Sequence, residues 1–180
     1  GHPVPNEESV RAGHRALELA KNLSEKELLV VLLSGGASAG LSVPSEGISS
    51  KEKRITTDAL LSSGVSIDGL NCVRKHLSSI KGGLLGVAAR GRVLTLAISD
   101  VVNPVPDDPT VIGSGPTVPD PTTFEDALRV CCQPQIRDGV PQRVREYLRR
   151  GSLGERVETP LPGDIRLEDS VYRIVGTRLD

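Results

Sequence analysis

Aromatic side chains are nearly missing from this 180-residue chain, which has one phenylalanine, two tyrosines and no tryptophan. Phe124, Tyr147 and Tyr172 are too few to build the stacking platforms that hold single-stranded nucleic acid, and the core must be aliphatic. An excess of one charge is missing as well. With 22 Lys and Arg against 23 Asp and Glu, the formal charge of -1 gives no global attraction to a phosphate polymer or an anionic membrane. Neither nucleic acid nor membrane is an expected partner. The aliphatic run "LLVVLL" falls far short of the roughly 20 residues that cross a bilayer, and no signal-peptide pattern is present. Cysteine is scarce and odd in number, and the adjacent Cys131 and Cys132 are poorly placed to pair with each other, so a reduced, cytoplasmic chain is expected.

What is present is aliphatic and punctuated. Leu, Ile, Val and Phe supply 52 residues, enough for a folded domain with one core. Asn6 followed by Glu7 and Glu8 marks a helix start, with Val10, Leu17, Leu19 and Leu23 as its apolar face. "LLVVLL" (28–33) lacks alternation and predicts a strand buried on both faces. Ser49 and Glu52 form a capping box for a second helix reaching Gly64, and Ile67, Leu70, Val73, Leu77 and Ile80 recur at helical spacing in a third. "VLTLAISD" predicts a second strand, and the proline-rich loop after it is long enough to be functional. Thr122 and Glu125 cap a further helix, Pro141 opens another, and "VYRIVG" closes the chain. Strands alternating with helices indicate an α/β domain, three-layered and Rossmann-like with a largely parallel sheet, whose ligands bind beyond the carboxyl ends of the strands.

Two strands end there in serine-bearing segments. Ser34-Gly35-Gly36-Ala37-Ser38 can converge several N–H groups on an anion, and Ser99-Asp100 follows the second strand. Gly36 to Gly40 also matches the Gly-x-Ser-x-Gly elbow of serine hydrolases, but that order needs a histidine after the acid. His2, His14 and His76 all precede Asp100. His76 is expected to point away from the basic face of its helix as a core or surface residue. No P-loop occurs, and Gly113-Ser114-Gly115 lacks the third glycine of a dinucleotide fingerprint. Arg74, Lys75 and Lys81, followed by Gly82-Gly83, bring three cations together that can bind anions or form a solvated face. Asp100 is the acidic residue best placed to offer oxygen to magnesium, ahead of Asp107, Asp108 and Asp120.

Five segments, "GHPVPNEESV", "LLVVLLSGGASAGLSVP", "TTDALLSSGVSIDGLNCVRKHLSSIKGG", "LAISDVV" and "IGSGPTVPDPTTF", together resemble the glycerate 2-kinase family, over residues 1 to about 133. Members of that family, some labelled hydroxypyruvate reductase, pair an amino-terminal domain with a smaller MOFRL domain. The resemblance implies ATP-dependent, magnesium-assisted phosphorylation of D-glycerate to 2-phosphoglycerate, with self-association left open. It implies a phosphate-facing loop at Ser34, Gly35, Gly36, Ala37 and Ser38, joined by Ser114 and Gly115. Asn71, Arg74, Lys81 and Ser99 are implied as substrate contacts, Arg74, Lys75 and Asp100 as catalytic, and Asp100 as the magnesium ligand. The family's Gly-Lys-Ala and Gly-Gly-Arg-Asn segments are not found in the chain, nor is a MOFRL domain. Residues 1–180 are therefore expected to be one α/β domain that is a fragment of the family's amino-terminal domain, with "NPVPDD" lengthening the loop beside Asp100. An NAD(P)H-dependent hydroxypyruvate reductase and a non-catalytic binding remnant are the alternatives.

Overall fold

The computed structural model describes residues 5–102 and 105–177. Asn103 and Pro104, which begin the "NPVPDD" stretch, and His2 lie outside them. Three parallel strands, β1 (Leu28–Leu33), β2 (Arg92–Ile98) and β3 (Ser170–Gly176), form one sheet with β2 in the middle. β1 and β2 run in unbroken register from Leu28 opposite Arg92 to Leu33 opposite Ala97. The segments leaving these two strands therefore emerge side by side. Between β2 and β3 the register slips after Ala97, a bulge at the same end of the sheet.

Helix α1 (Glu7–Asn22) starts at Asn6 as expected, with Asn6 and Ser9 bonding each other's backbone N–H. Its buried face is Ser9, Gly13, Leu17 and Ala20, while Leu19 is exposed. The short helices α2 (Ala37–Gly40) and α5 (Leu84–Ala88) were not legible in the sequence. Leu17, Ala20, Val43, Ile80 and Leu85 pack with Leu29 and Val31 on one face of the sheet. The alternate residues Leu28, Val30 and Leu32 are 46%, 49% and 78% exposed, and Ile98, Val171 and Val175 share their side. This corrects the expectation that β1 is buried on both faces: among the described residues its second face is open, and residue alternation, hidden by an all-aliphatic sequence, governs burial.

A second core lies away from the sheet, where α3 (Ser50–Ser62), α4 (Ile67–His76), α6 (Phe124–Cys131), α7 (Pro134–Arg137) and α8 (Gln142–Ser152) meet around Leu60, Leu77, Phe124, Ile136 and Leu148. The capping box at Ser49 and Glu52 is formed. α4 stops at His76 although its apolar spacing continues to Ile80. Ser79 N–H donates to Val43 O at 2.9 Å and Ser45 N–H to Leu77 O at 3.2 Å, so a tertiary pairing takes over the backbone. The cap of α6 is Thr123 with Asp126, one residue beyond the expected pair, because Asp120 already holds the Thr122 N–H and hydroxyl at 2.9 and 2.6 Å. Cys72, Cys131 and Cys132 are all free thiols, the first two buried.

Candidate functional site

β1 ends in the exposed turn Ser34-Gly35-Gly36, from which α2 carries Ser38 inward. Ser38 Oγ lies 2.8 Å from Ser114 Oγ, a link across 76 residues. Ser114 is fully buried and left-handed (φ 62°), between Gly113 and Gly115 at φ 60° and 57°. Three consecutive residues in this region make a sharp concave turn, and a serine held there is a local strain of the sort that collects at functional sites. The turn is pinned from outside. Gly82 N–H donates to Ser114 O at 3.0 Å and Gly83 N–H to Gly115 O at 2.7 Å, with both glycines also at positive φ. Ser114 Oγ reaches Asn71 Oδ1 at 3.4 Å on α4.

The three expected cations have different surroundings. Lys75 is 3% exposed and its Nζ meets Asp120 Oδ1 at 2.5 Å, which commits it to a buried ion pair away from the cavity described below. Lys81, equally buried, donates to Ser38 O at 2.7 Å, to Leu41 O at 3.2 Å and to Ser38 Oγ at 3.2 Å. These are neutral acceptors, and burial, with Lys53 and Arg74 nearby, holds its pKa well below the ordinary lysine value. Arg74 is half-buried, and burial lowers its pKa too. Burial also acts on His76, but the Cys72 carbonyl, Glu158 and the charge of Asp120 outweigh it and push the ring up to about 10. With Nδ1 at 2.8 Å from Cys72 O and Nε2 at 2.9 Å from Glu158, this histidine ties α4 to the 158–160 segment and is no catalytic base for Ser38.

Asp100 is exposed beyond β2, and its carboxylate lies against Gly35, where an added Cβ would overlap Oδ2. Ser99 is buried, with its N–H on Gly176 O and its hydroxyl accepting from Val101 N–H at 3.2 Å, so it shapes the strand end. Among the described residues no three His, Cys, Asp or Glu side chains gather as a metal cluster. A single exposed carboxylate beside a glycine loop still suits magnesium, which keeps several waters and takes one or two carboxylates plus phosphate oxygens.

Beside these loops opens a cavity of about 540 Å³, bounded by α1, α2, α3 and α4, with Ser38, Lys53, Arg74 and Lys81 in its wall. Lys53 was not anticipated. "SSKEKR" is read only for its capping box, yet Lys53, Thr56, Thr57 and Leu60 follow helical spacing and form the buried face of α3. That spacing was the available signal. Among the described residues Lys53 Nζ has no hydrogen-bond partner, and burial, then the charge of Arg74, lower its pKa to about 7.

The model of a family described only as a domain of unknown function, DUF4147, matches residues 1–149. The chain belongs to this family. Among curated relatives of the chain, the glycerate 2-kinase of Pyrococcus horikoshii is 45% identical over 159 residues, covering 88% of this chain and 36% of its own length. A crystal structure of a Pyrococcus horikoshii OT3 protein superposes with a TM-score of 0.89 at 43% identity, and one of Thermotoga maritima glycerate kinase with 0.81 at 37%. Each match covers 98% of this chain and 39% of the solved one. Other relatives carry a hydroxypyruvate reductase label. The chain thus spans little more than a third of the length of these relatives, and its α/β architecture with a parallel sheet is theirs.

Proposed function

We propose that this chain carries the acceptor- and phosphate-binding part of a kinase that transfers the terminal phosphoryl group of ATP, with magnesium, to D-glycerate, giving 2-phosphoglycerate. The observation that carries the reading is the meeting of Ser38 and Ser114 at 2.8 Å beside a cation-lined cavity, at the carboxyl ends of adjacent parallel strands. Phosphoryl transfer needs positioning and charge neutralisation more than covalent chemistry, and the parts here are of that kind. Ser34, Gly35, Gly36, Ala37 and Ser38, with Ser114 and Gly115, form the phosphate-facing loops. Asn71 fixes Ser114, and Lys81 fixes Ser38. Arg74 neutralises the acceptor carboxylate or the moving phosphoryl group. Asp100 orients the acceptor hydroxyl and is the residue that would hold magnesium, whose charge would offset that of the phosphates when bound. Lys75 is left out of the chemistry because Asp120 occupies its ammonium.

The reductase alternative, whose label some relatives carry, is not favoured, since neither glycine turn carries the spacing that brings a helix end to a pyrophosphate. Phosphorus NMR of the chain with magnesium-ATP and D-glycerate tests the kinase reading. ADP together with 2-phosphoglycerate is the expected result, and an inert mixture sinks self-sufficient activity in these 180 residues.

A further inference from the structure

Three lysines of this chain are buried to the same degree, and two of them are satisfied. Lys75 has Asp120, and Lys81 has three oxygen acceptors. Lys53, 6% exposed, has none among the described residues, and it is one of the residues that line the cavity. An ammonium without a partner is costly to bury, and this one also sits in the first turns of α3, where the helix dipole disfavours a cation. A fold that pairs its other buried lysines has left this one without a partner among the described residues, beside space a ligand can enter.

The wall narrows the ligand class. Among the described residues Arg11, Lys51, Lys53, Arg54, Arg74 and Lys81 line the cavity against the single carboxylate of Glu7, which suits an anion of more than one charge. Among the described residues no aromatic ring lines it to stack on a nucleobase, while Ser38, Ser42, Ser50 and Thr57 offer hydroxyl groups to a polar, oxygen-rich body. We infer that Lys53, with Arg74, forms an oxyanion site for a small phosphorylated or carboxylated hydroxy acid, as distinct from the nucleotide. This rests on the kinase reading and deepens it by assigning the acceptor's end of the site to a residue of α3.

The test is binding, which separates this inference from catalysis. Inorganic phosphate, D-glycerate, 2-phosphoglycerate and a non-hydrolysable ATP analogue are each titrated into the chain, following heat of binding and the Lys53 side-chain carbon resonance next to Nζ. Phosphate and 2-phosphoglycerate are expected to move that resonance to its charged-form position. Lys53→Met is expected to weaken 2-phosphoglycerate roughly 10- to 100-fold, the scale of one charge-assisted hydrogen bond. Methionine fits an apolar stem, and the variant should fold at least as well as the parent, which a melting curve checks. Unchanged 2-phosphoglycerate affinity in a folded Lys53→Met chain overturns the inference, as does a Lys53 resonance that answers only to the ATP analogue. If ADP and 2-phosphoglycerate never form but phosphate still titrates Lys53, the kinase reading of this chain fails and the oxyanion site stands.

Discussion

Lys75 Nζ and Asp120 Oδ1 lie 2.5 Å apart with neither side chain more than 4% exposed. Asp120 also accepts from Thr122 and Thr159, so one carboxylate joins α4, the loop before α6 and the 158–160 segment. Removing it strands an ammonium in the interior. Asp120→Ala should cost ~3–5 kcal/mol in urea denaturation, the range for breaking a buried pair. Replacing both partners, with Lys75→Met and Asp120→Leu, should recover part of that loss. A double variant as unstable as the single one would mean that the bonds to Thr122 and Thr159, rather than the stranded charge, set the cost.

Lys53 and His76 give stability opposite pH dependences. Between about pH 7 and 10.5 the Lys53 ammonium is protonated in the unfolded chain and neutral in the folded one, so its contribution to stability rises with pH. His76 is protonated in the folded chain up to about pH 10 but titrates near 6.5 when unfolded. Its contribution is full below pH 6.5 and is lost as pH rises toward 10. The two slopes, each ~1.4 kcal/mol per pH unit, offset each other from pH 7 to 10. Denaturation at pH 7, 8 and 9 should therefore show stability falling with pH in Lys53→Met and rising in His76→Gln. Parallel profiles in both variants would rule out this pairing.

Gly35 is required for clearance, since a methyl group there would overlap the Asp100 carboxylate. The loop is exposed, so Gly35→Ala should leave the melting temperature within a few degrees. If the proposed kinase reading holds, formation of 2-phosphoglycerate should fall at least about tenfold, because a shifted Asp100 carboxylate is then misaligned for transfer. Steady-state kinetics beside a melting curve distinguishes this from a folding defect.

Gly151 of α8 lies against the Phe124 ring of α6, where a Cβ would collide with ring carbons. Gly151→Ala should destabilise the helical core by ~1–3 kcal/mol through overpacking, in spite of alanine's better helix propensity. A gain in stability would show that Phe124 can move aside.

Much of the fold was legible where local chemistry decides it. The caps at Asn6 and Ser49 and the strands β1 and β2 are in the sequence as read, because a side chain three residues from a free N–H or a run of aliphatic residues carries its own signal. It failed where distant segments intervene. α4 ends early because Val43 and Pro44 capture the residues after it, and Thr122 loses its capping role to Asp120. In the candidate site, Ser38, Arg74, Asp100 and Ser114 stood out by motif. Lys53 did not stand out, since its helical spacing with Thr56, Thr57 and Leu60 marks only a buried face, and the three-dimensional neighbourhood of α3 is needed to show that its amine lacks a partner among the described residues.

The face of the sheet that is open among the described residues should also govern how this protein behaves in solution. Leu28, Val30, Leu32, Ile98, Val171 and Val175 present hydrocarbon where a strand surface usually alternates with polar groups. Their hydration is what an excluded salt makes more unfavourable, so the chain should leave solution early along an ammonium sulfate gradient. Leu32→Ser, at the most exposed of these positions in β1, should shift that threshold upward at almost no thermodynamic cost to the fold, because a side chain already 78% in water has little burial to lose.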